Sequence, residues 1–151
     1  MAKKNYGEVV ESKLTIIFNN EMKKGDIREW TMVRSVKKSD VLVVRVDKDI
    51  YLLEVAKDGT VTIQLAGTKS KIFVTAITHE SFETLALEIR KILWMSPYAF
   101  VEKAHYMNAQ YKKAIGSLSK KKRKSMVKKM LAFDEKMSRI IGKSIKLIHA
   151  F

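Results

Sequence analysis

The stretch Val41-Leu-Val-Val-Arg-Val-Asp-Lys-Asp-Ile-Tyr-Leu-Leu-Glu-Val-Ala-Lys-Asp-Gly-Thr-Val-Thr-Ile-Gln-Leu65 reads as three short strands joined by tight turns. Val41 to Val46 is a β-branched run dense enough for a central strand. Asp47-Lys48-Asp49 breaks that run, and Ile50 to Ala56 resumes it. Lys57-Asp58-Gly59-Thr60 then offers an Asp-Gly pair, whose tolerance of positive φ closes a hairpin. Beyond it Val61, Ile63 and Leu65 share one face and Thr62 and Gln64 the other, the alternation of a half-buried strand.

Working outward, Ala66-Gly67-Thr68 turns the chain into a further strand over Lys71 to Ile77. On the N-terminal side, Ile27 to Val36 alternates with Arg28, Trp30, Met32, Arg34 and Val36 on one face and the more polar Glu29, Thr31, Val33 and Ser35 on the other. Residues 8–18 alternate as well, with Val10, Leu14, Ile16 and Phe18 aligned, which predicts a strand there. The expected sheet therefore has about six consecutive antiparallel strands.

At Thr78 the apolar period changes from two to about 3.6. Phe82, Leu85, Ala86, Ile89, Ile92 and Leu93 form one helical stripe. Met95-Ser96-Pro97 ends that helix and starts a second, because Ser is a good N-cap and Pro is tolerated in the first turn. Gly116 stops the second helix, and Ser119 caps a third that runs to about Ile141, with Met126, Met130, Phe133, Met137 and Ile140 as an apolar stripe expected to be buried. The tail from Ser144 to Phe151 reads equally as helix or strand. The fold class expected is α+β, a single domain over 1–151 that is strand-rich in 8–77 and helical in 78–151.

A chain of 151 residues with a hydrophobic fraction of 46%, one Pro and six Gly has the size and composition of one folded domain. The absence of cysteine excludes disulfides and thiolate chemistry, and His79, His105 and His149 are too scattered to predict a metal site. No apolar run approaches the ~18 residues of a membrane span, and the first residues lack the apolar centre of a secretory signal, so an intracellular protein is expected. No cofactor is called for.

The formal net charge of +14 is unevenly spread: residues 98–151 carry 14 Lys and Arg against 3 Asp and Glu, a net of +11. Its peak is Ser119-Lys120-Lys121-Lys122-Arg123-Lys124-Ser125, at the start of the third helix. The first turn of a helix bears partial positive charge, so cations there are disfavoured by about 0.3–1 kcal/mol each before screening. An anionic partner gives such a run a purpose other than helix stability, and phosphate suits both the lysines and the free N–H groups of the helix start. The bland alternative is a solvated helix start. Lys121, Lys124 and Lys128 fall on one side of the helix by three-and-four spacing, and Lys129, Lys112 and Lys113 enlarge the patch.

Single-stranded nucleic acid needs cations along its phosphates and aromatic faces for its bases. Arg28, Trp30 and Arg34 place both ingredients on one strand face, with Lys37 and Lys38 in the turn that follows. Trp30 reads at least as well as a core residue, whereas Tyr106, among Lys103, Lys112 and Lys113, reads as an exposed stacking platform. Asp40, Asp47, Asp49 and Glu54 near Lys57 loosely suggest a metal-dependent nuclease, but the Glu54–Lys57 spacing puts the two side chains on opposite strand faces. A non-enzymatic adaptor that docks its third helix on an acidic protein surface is the other alternative, and a homo-oligomer or a protein partner is left open.

Antiparallel strands followed by a helix, with the helix over Thr78 to Leu93, resemble the layout of the Whirly and PC4-like single-strand-binding proteins. The resemblance covers about Ile27 to Trp94, and includes the small basic RNA-binding proteins of nucleus-forming jumbo phages. It implies binding of RNA or single-stranded DNA. The expected function is such binding, mainly through phosphate contacts and with low sequence specificity.

Overall fold

The computed structural model describes residues 6–36 and 40–150, with side chains described as far as residue 140. Its first element is a helix, α1 (Tyr6–Lys24), where alternation predicts a strand over 8–18. Val10, Leu14 and Phe18 are four apart and so satisfy both periods. The residues that separate the two are Val9, which is buried, and Ile16, which is exposed. A strand would have done the reverse with both.

The five strands that follow are β1 (Trp30–Val36), β2 (Asp40–Val46), β3 (Asp49–Val55), β4 (Thr60–Leu65) and β5 (Lys71–Thr75). They pair antiparallel in sequence order, β1-β2-β3-β4-β5, as a simple meander. A short 3-10 turn, Ala76–Thr78, leads to α2 (Phe82–Leu93), α3 (Pro97–Ile115) and α4 (Lys120–Ala150). Among the described residues the expected six strands and three helices are thus five strands and four helices, still of the α+β class. Residues 144–150 continue α4, while Phe151 lies outside the described residues.

Alternation decides what each strand buries. Leu42, Val44, Val46, Tyr51, Leu53, Val55, Val61, Ile63, Leu65, Ile72 and Val74 all lie on the sheet face covered by α1 and α2. From α2 the whole predicted stripe, Phe82 to Leu93, is buried against them. Each such aliphatic side chain contributes about 1.5–3 kcal/mol relative to exposure, so this face is the core. The N-cap of α2 is Ser81, three residues later than the change of period at Thr78. Its Oγ accepts from the Thr84 N–H and Thr84 Oγ1 accepts from the Ser81 N–H, a reciprocal capping box.

Two polar groups sit inside this apolar layer. Arg90 of α2 is buried, and its Nε donates to both carboxylate oxygens of Glu21 on α1 at 2.8 Å. Its guanidinium also faces the rings of Trp94, 4.1 Å from the centroid, and Phe18, at 5.3 Å. Tyr51 reaches across from β3 to donate its hydroxyl to the Leu93 carbonyl at 2.8 Å. Burial, with the nearby Asp49 charge, pushes the Tyr51 phenol up to about 12.

α3 meets the sheet at its β5 edge, where Phe100 and Ala104 are buried. One turn further on, Asn108 accepts from the Phe73 N–H at 3.0 Å and donates to the Lys71 carbonyl at 2.9 Å. A side-chain amide thus stands in for the next strand and closes that edge. Tyr111 stacks on Phe73 beyond it, and its hydroxyl lies 3.1 Å from Thr60 Oγ1.

Removing the Glu21 carboxylate leaves a buried guanidinium without its counter-charge. Glu21→Ala should therefore cost about 3–5 kcal/mol in urea denaturation, and Glu21→Leu with Arg90→Met should cost less than that single change. A double variant at least as unstable as Glu21→Ala would contradict the assignment. Tyr51 gives a pH signature. The unfolded chain releases the phenol proton near 10.0 and the folded protein near 12, so above pH 10 the unfolded state sheds it first and stability falls as pH climbs. The stability advantage of the natural chain over Tyr51→Phe should narrow between about pH 10 and 12, and a constant gap would count against it.

Candidate nucleic-acid interface

The basic run lies where α3 turns back into α4. α3 ends with Lys112 and Lys113 in its last turn, where the helix dipole favours cations, and only residues 116–119 separate it from Lys120. Ser119 caps α4 as its sequence predicts: its Oγ accepts from the Lys122 N–H at 3.1 Å, and its carbonyl accepts from the Arg123 N–H at 3.0 Å.

Docking of α4 then sorts the run. Val127 is fully buried, and it sits against Gly59 of the β3–β4 turn and near Ala76. One turn before it, Arg123 faces the same way. It donates from Nη1 to the Leu118 carbonyl at 3.3 Å, and its Nε lies 3.9 Å from Asp58 in that turn. One turn after Leu131, Asp134 pairs with Lys13 of α1 at 2.6 Å. Arg123, Val127, Leu131 and Asp134 are therefore the docking line of the helix.

The other cations of the run are left facing solvent. Lys120, Lys121, Lys122, Lys124, Lys128 and Lys129 are exposed, as are Lys112 and Lys113. Among the described residues none of these eight has a carboxylate within ion-pair distance, while five other cations of the chain do: Lys13, Arg34, Arg45, Arg90 and Arg123. On α3, Tyr106 is 60% exposed. Lys103 Nζ stands 5.6 Å from its ring centroid, and its hydroxyl accepts from Gln110 Nε2 at 2.9 Å. Lys103, Tyr106, Gln110 and Lys113 form one line by three-and-four spacing, so an exposed aromatic adjoins the cationic patch.

The strand set proposed from sequence is not part of this patch. Trp30 is half-buried with its ring 5.4 Å from that of Phe18, and so supports α1. Arg34 is engaged with Asp40 at 2.9 Å, Glu8 at 3.4 Å and Glu11 at 3.8 Å, clamping α1 to the β1–β2 hairpin. Both positions alternate onto the helix-covered face, where they pack and pair within the fold, away from the lysines of α3 and α4. Arg28 is exposed but lies beside Asp47, at the end of the sheet away from Asp58. Lys37 and Lys38 lie outside the described residues.

The stripe expected to be buried on α4 is also reassigned. Met126 and Met130 are half-buried, but Phe133, Met137 and Ile140 are exposed, because the helix docks on the line through Val127 instead. The acidic residues weighed for a nuclease do not converge. Asp40 and Asp49 lie at opposite ends of the β2–β3 pair, and Glu54 points to the other face. Asp47 is held below the usual carboxylate range by the Glu29 and Arg28 N–H groups it accepts from, in a turn with φ of 52°. Among the described residues no group of three or more acidic or imidazole side chains is arranged to hold a metal ion. Nor is any described helix long and apolar enough to cross a membrane.

Comparison with family models, with curated proteins and with solved structures gives no match for this chain.

Gly59 is the position on which this arrangement of cations turns. Its φ is +82°, and a Cβ there would come 2.7 Å from Val127 Cγ2. Gly59→Ala should cost about 1–3 kcal/mol of stability and speed proteolytic cleavage near the start of α4. Unchanged stability and cleavage would show that the helix is not seated through this contact.

Proposed function

We propose that this protein binds RNA or single-stranded DNA through phosphate contacts made by the exposed lysines of α3 and α4. The observation that carries the reading is the sorting of the basic run. Arg123 is turned inward to Asp58, while Lys120, Lys121, Lys122 and Lys124, with Lys128, Lys129, Lys112 and Lys113, face solvent without carboxylate partners among the described residues. Surface lysines left uncompensated over two adjoining helices raise the local positive potential and attract a polyanion. Lysines are flexible point charges, so they follow a backbone without reading bases, and low sequence specificity follows. Tyr106 is the side chain best set to stack on a base beside them. The strand-then-helix layout of Ile27–Trp94, on which the resemblance to Whirly and PC4-like proteins rests, supports the same class of ligand.

A second reading has its own observation. Phe133, Met137 and Ile140 lie exposed on α4 beside Lys129 and Lys136, the surface an acidic-rimmed apolar groove on another protein would accept. On that reading the chain is an adaptor and the lysines steer the encounter.

The two are separated by titrating a fluorescent oligouridylate of about 20 nucleotides across a range of salt. The natural chain should lose affinity steeply with salt. Combined reversal of Lys121, Lys124 and Lys128 to Glu should lower the slope of log K against log salt by about 2, at roughly 0.7 for each phosphate that is no longer neutralised. Arg123 is excluded from that variant because its reversal would place two carboxylates together at Asp58. A variant that keeps the natural slope would remove α4 from the interface. Failure of the natural chain to bind at low salt would favour the adaptor.

A further inference from the structure

A cavity of about 330 Å³ lies between β5, α2 and α3, at the lower end of the range for small-ligand sites. α3 lines it with Met107, Gln110, Tyr111 and Ala114, which share one face by three-and-four spacing. Tyr111 stacks on Phe73 with ring centroids 5.6 Å apart, so one wall is aromatic. His79 adds a second ring, fixed by its Nδ1–H, which donates to the Thr75 carbonyl at 2.8 Å.

The polar groups of this cavity are of a particular kind. Glu88 lines it from α2 and is half-buried, and among the described residues no cation lies within ion-pair distance of its carboxylate. Asn108 takes the outward N–H of Phe73, and Thr75, two residues further along β5, directs its own N–H the same way. The site thus combines two carboxylate oxygens, a backbone donor and an aromatic face. A carboxylate repels phosphate, so the cavity suits a base rather than the backbone of a nucleic acid.

We propose, resting on the nucleic-acid reading of α3 and α4, that this cavity takes a single guanine of the bound strand. Of the four bases only guanine presents two adjacent donors, N1–H and N2–H, and these match the two oxygens of Glu88. Its O6, beside them on the same edge, accepts from the Thr75 N–H while the ring lies against Tyr111. Adenine and cytosine turn a ring-nitrogen lone pair toward the carboxylate, and uracil flanks its one donor with two carbonyl oxygens. Each would set acceptor against acceptor in a partly buried site, which is what rejects them. Gln110 joins the cavity to the cationic patch, since it lines the one and donates to the Tyr106 hydroxyl in the other at 2.9 Å. Lys112 and Lys113 follow Tyr111 on the same helix, within reach of the phosphates that flank a seated guanine. One base is read within a track that is otherwise neutral to sequence.

The test compares the fluorescent oligouridylate with a copy that carries one central guanosine. At fixed salt the guanosine strand should bind about tenfold tighter. The slope of log K against log salt should be the same for both strands, because no phosphate contact is added. Inosine in that place, which lacks the N2 amino group, should lose most of the gain. Glu88→Gln, an isosteric change, should bind both strands equally and keep the natural slope. Equal binding of the two strands by the natural chain overturns the guanine site and leaves phosphate binding by the lysines intact, and a Glu88→Gln protein that still prefers guanosine overturns it too. GMP alone separates the cavity from the lysine surface. In amide NMR spectra millimolar GMP should move the Thr75 and Tyr111 resonances, and AMP should not. If neither strand binds at low salt while GMP moves those resonances, the guanine site stands as one for a free nucleotide and the strand-binding reading fails. Equal responses to GMP and AMP overturn the site.

Discussion

Arg90 is a cation inside the apolar layer, and the helical half of the protein is arranged around what it needs. Its charge is balanced by Glu21 of α1, and its planar faces lie against Phe18 and Trp94. Removing either partner would leave a buried charge without its counter-charge, which is far more costly than losing an exposed pair. The two helices are thereby held together over one face of the sheet. Trp94 then ends α2 against the same guanidinium, and the Leu93 carbonyl beside it is taken by Tyr51 of β3. The place where α2 stops is therefore tied to the sheet from two sides.

From that fixed end the rest of the chain is positioned by short connections. Ser96 starts α3 three residues after Leu93, which delivers Phe100 and Ala104 to the β5 edge and Asn108 to its unpaired backbone. The turn after Ile115 returns the chain as α4, and Val127 against Gly59 sets its rotation. Rotation is what matters for binding. A helix with cations on most of its circumference presents whichever of them the docking contact leaves outside. Here it turns one arginine inward and leaves the lysines free.

Stability and the proposed binding surface are thus divided between parts of the molecule. Among the described residues the cations held in carboxylate pairs are Lys13, Arg34, Arg45, Arg90 and Arg123, of which Arg34, Arg90 and Lys13 join α1 to the sheet, to α2 and to α4. The lysines of the α3–α4 turn contribute no such pairs among the described residues, and their mutual repulsion is a cost that a polyanion would relieve. At the β5 edge the sheet is likewise closed from within the chain, by Asn108.

Local sequence determined β2 to β5, because period-two alternation and the Asp58-Gly59 turn leave few other conformations, and it also determined the caps at Ser96 and Ser119. Residues 8–18 were ambiguous, since Val10, Leu14 and Phe18 lie on one face of a strand and of a helix alike. Packing of Val9 beneath the helix, with Ile16 left outside, resolved it in favour of α1. The concentration of charge in the helical half was equally legible, but its direction was not. Arg123 and Lys124 are neighbours of similar chemistry, and the docking of α4 along Val127, Leu131 and Asp134 makes one a clamp and the other a surface charge. Trp30 and Arg34 depended in the same way on which face of β1 the helices cover. Periodicity fixes which residues move together, and the face they turn to is decided by the partner that the tertiary structure supplies.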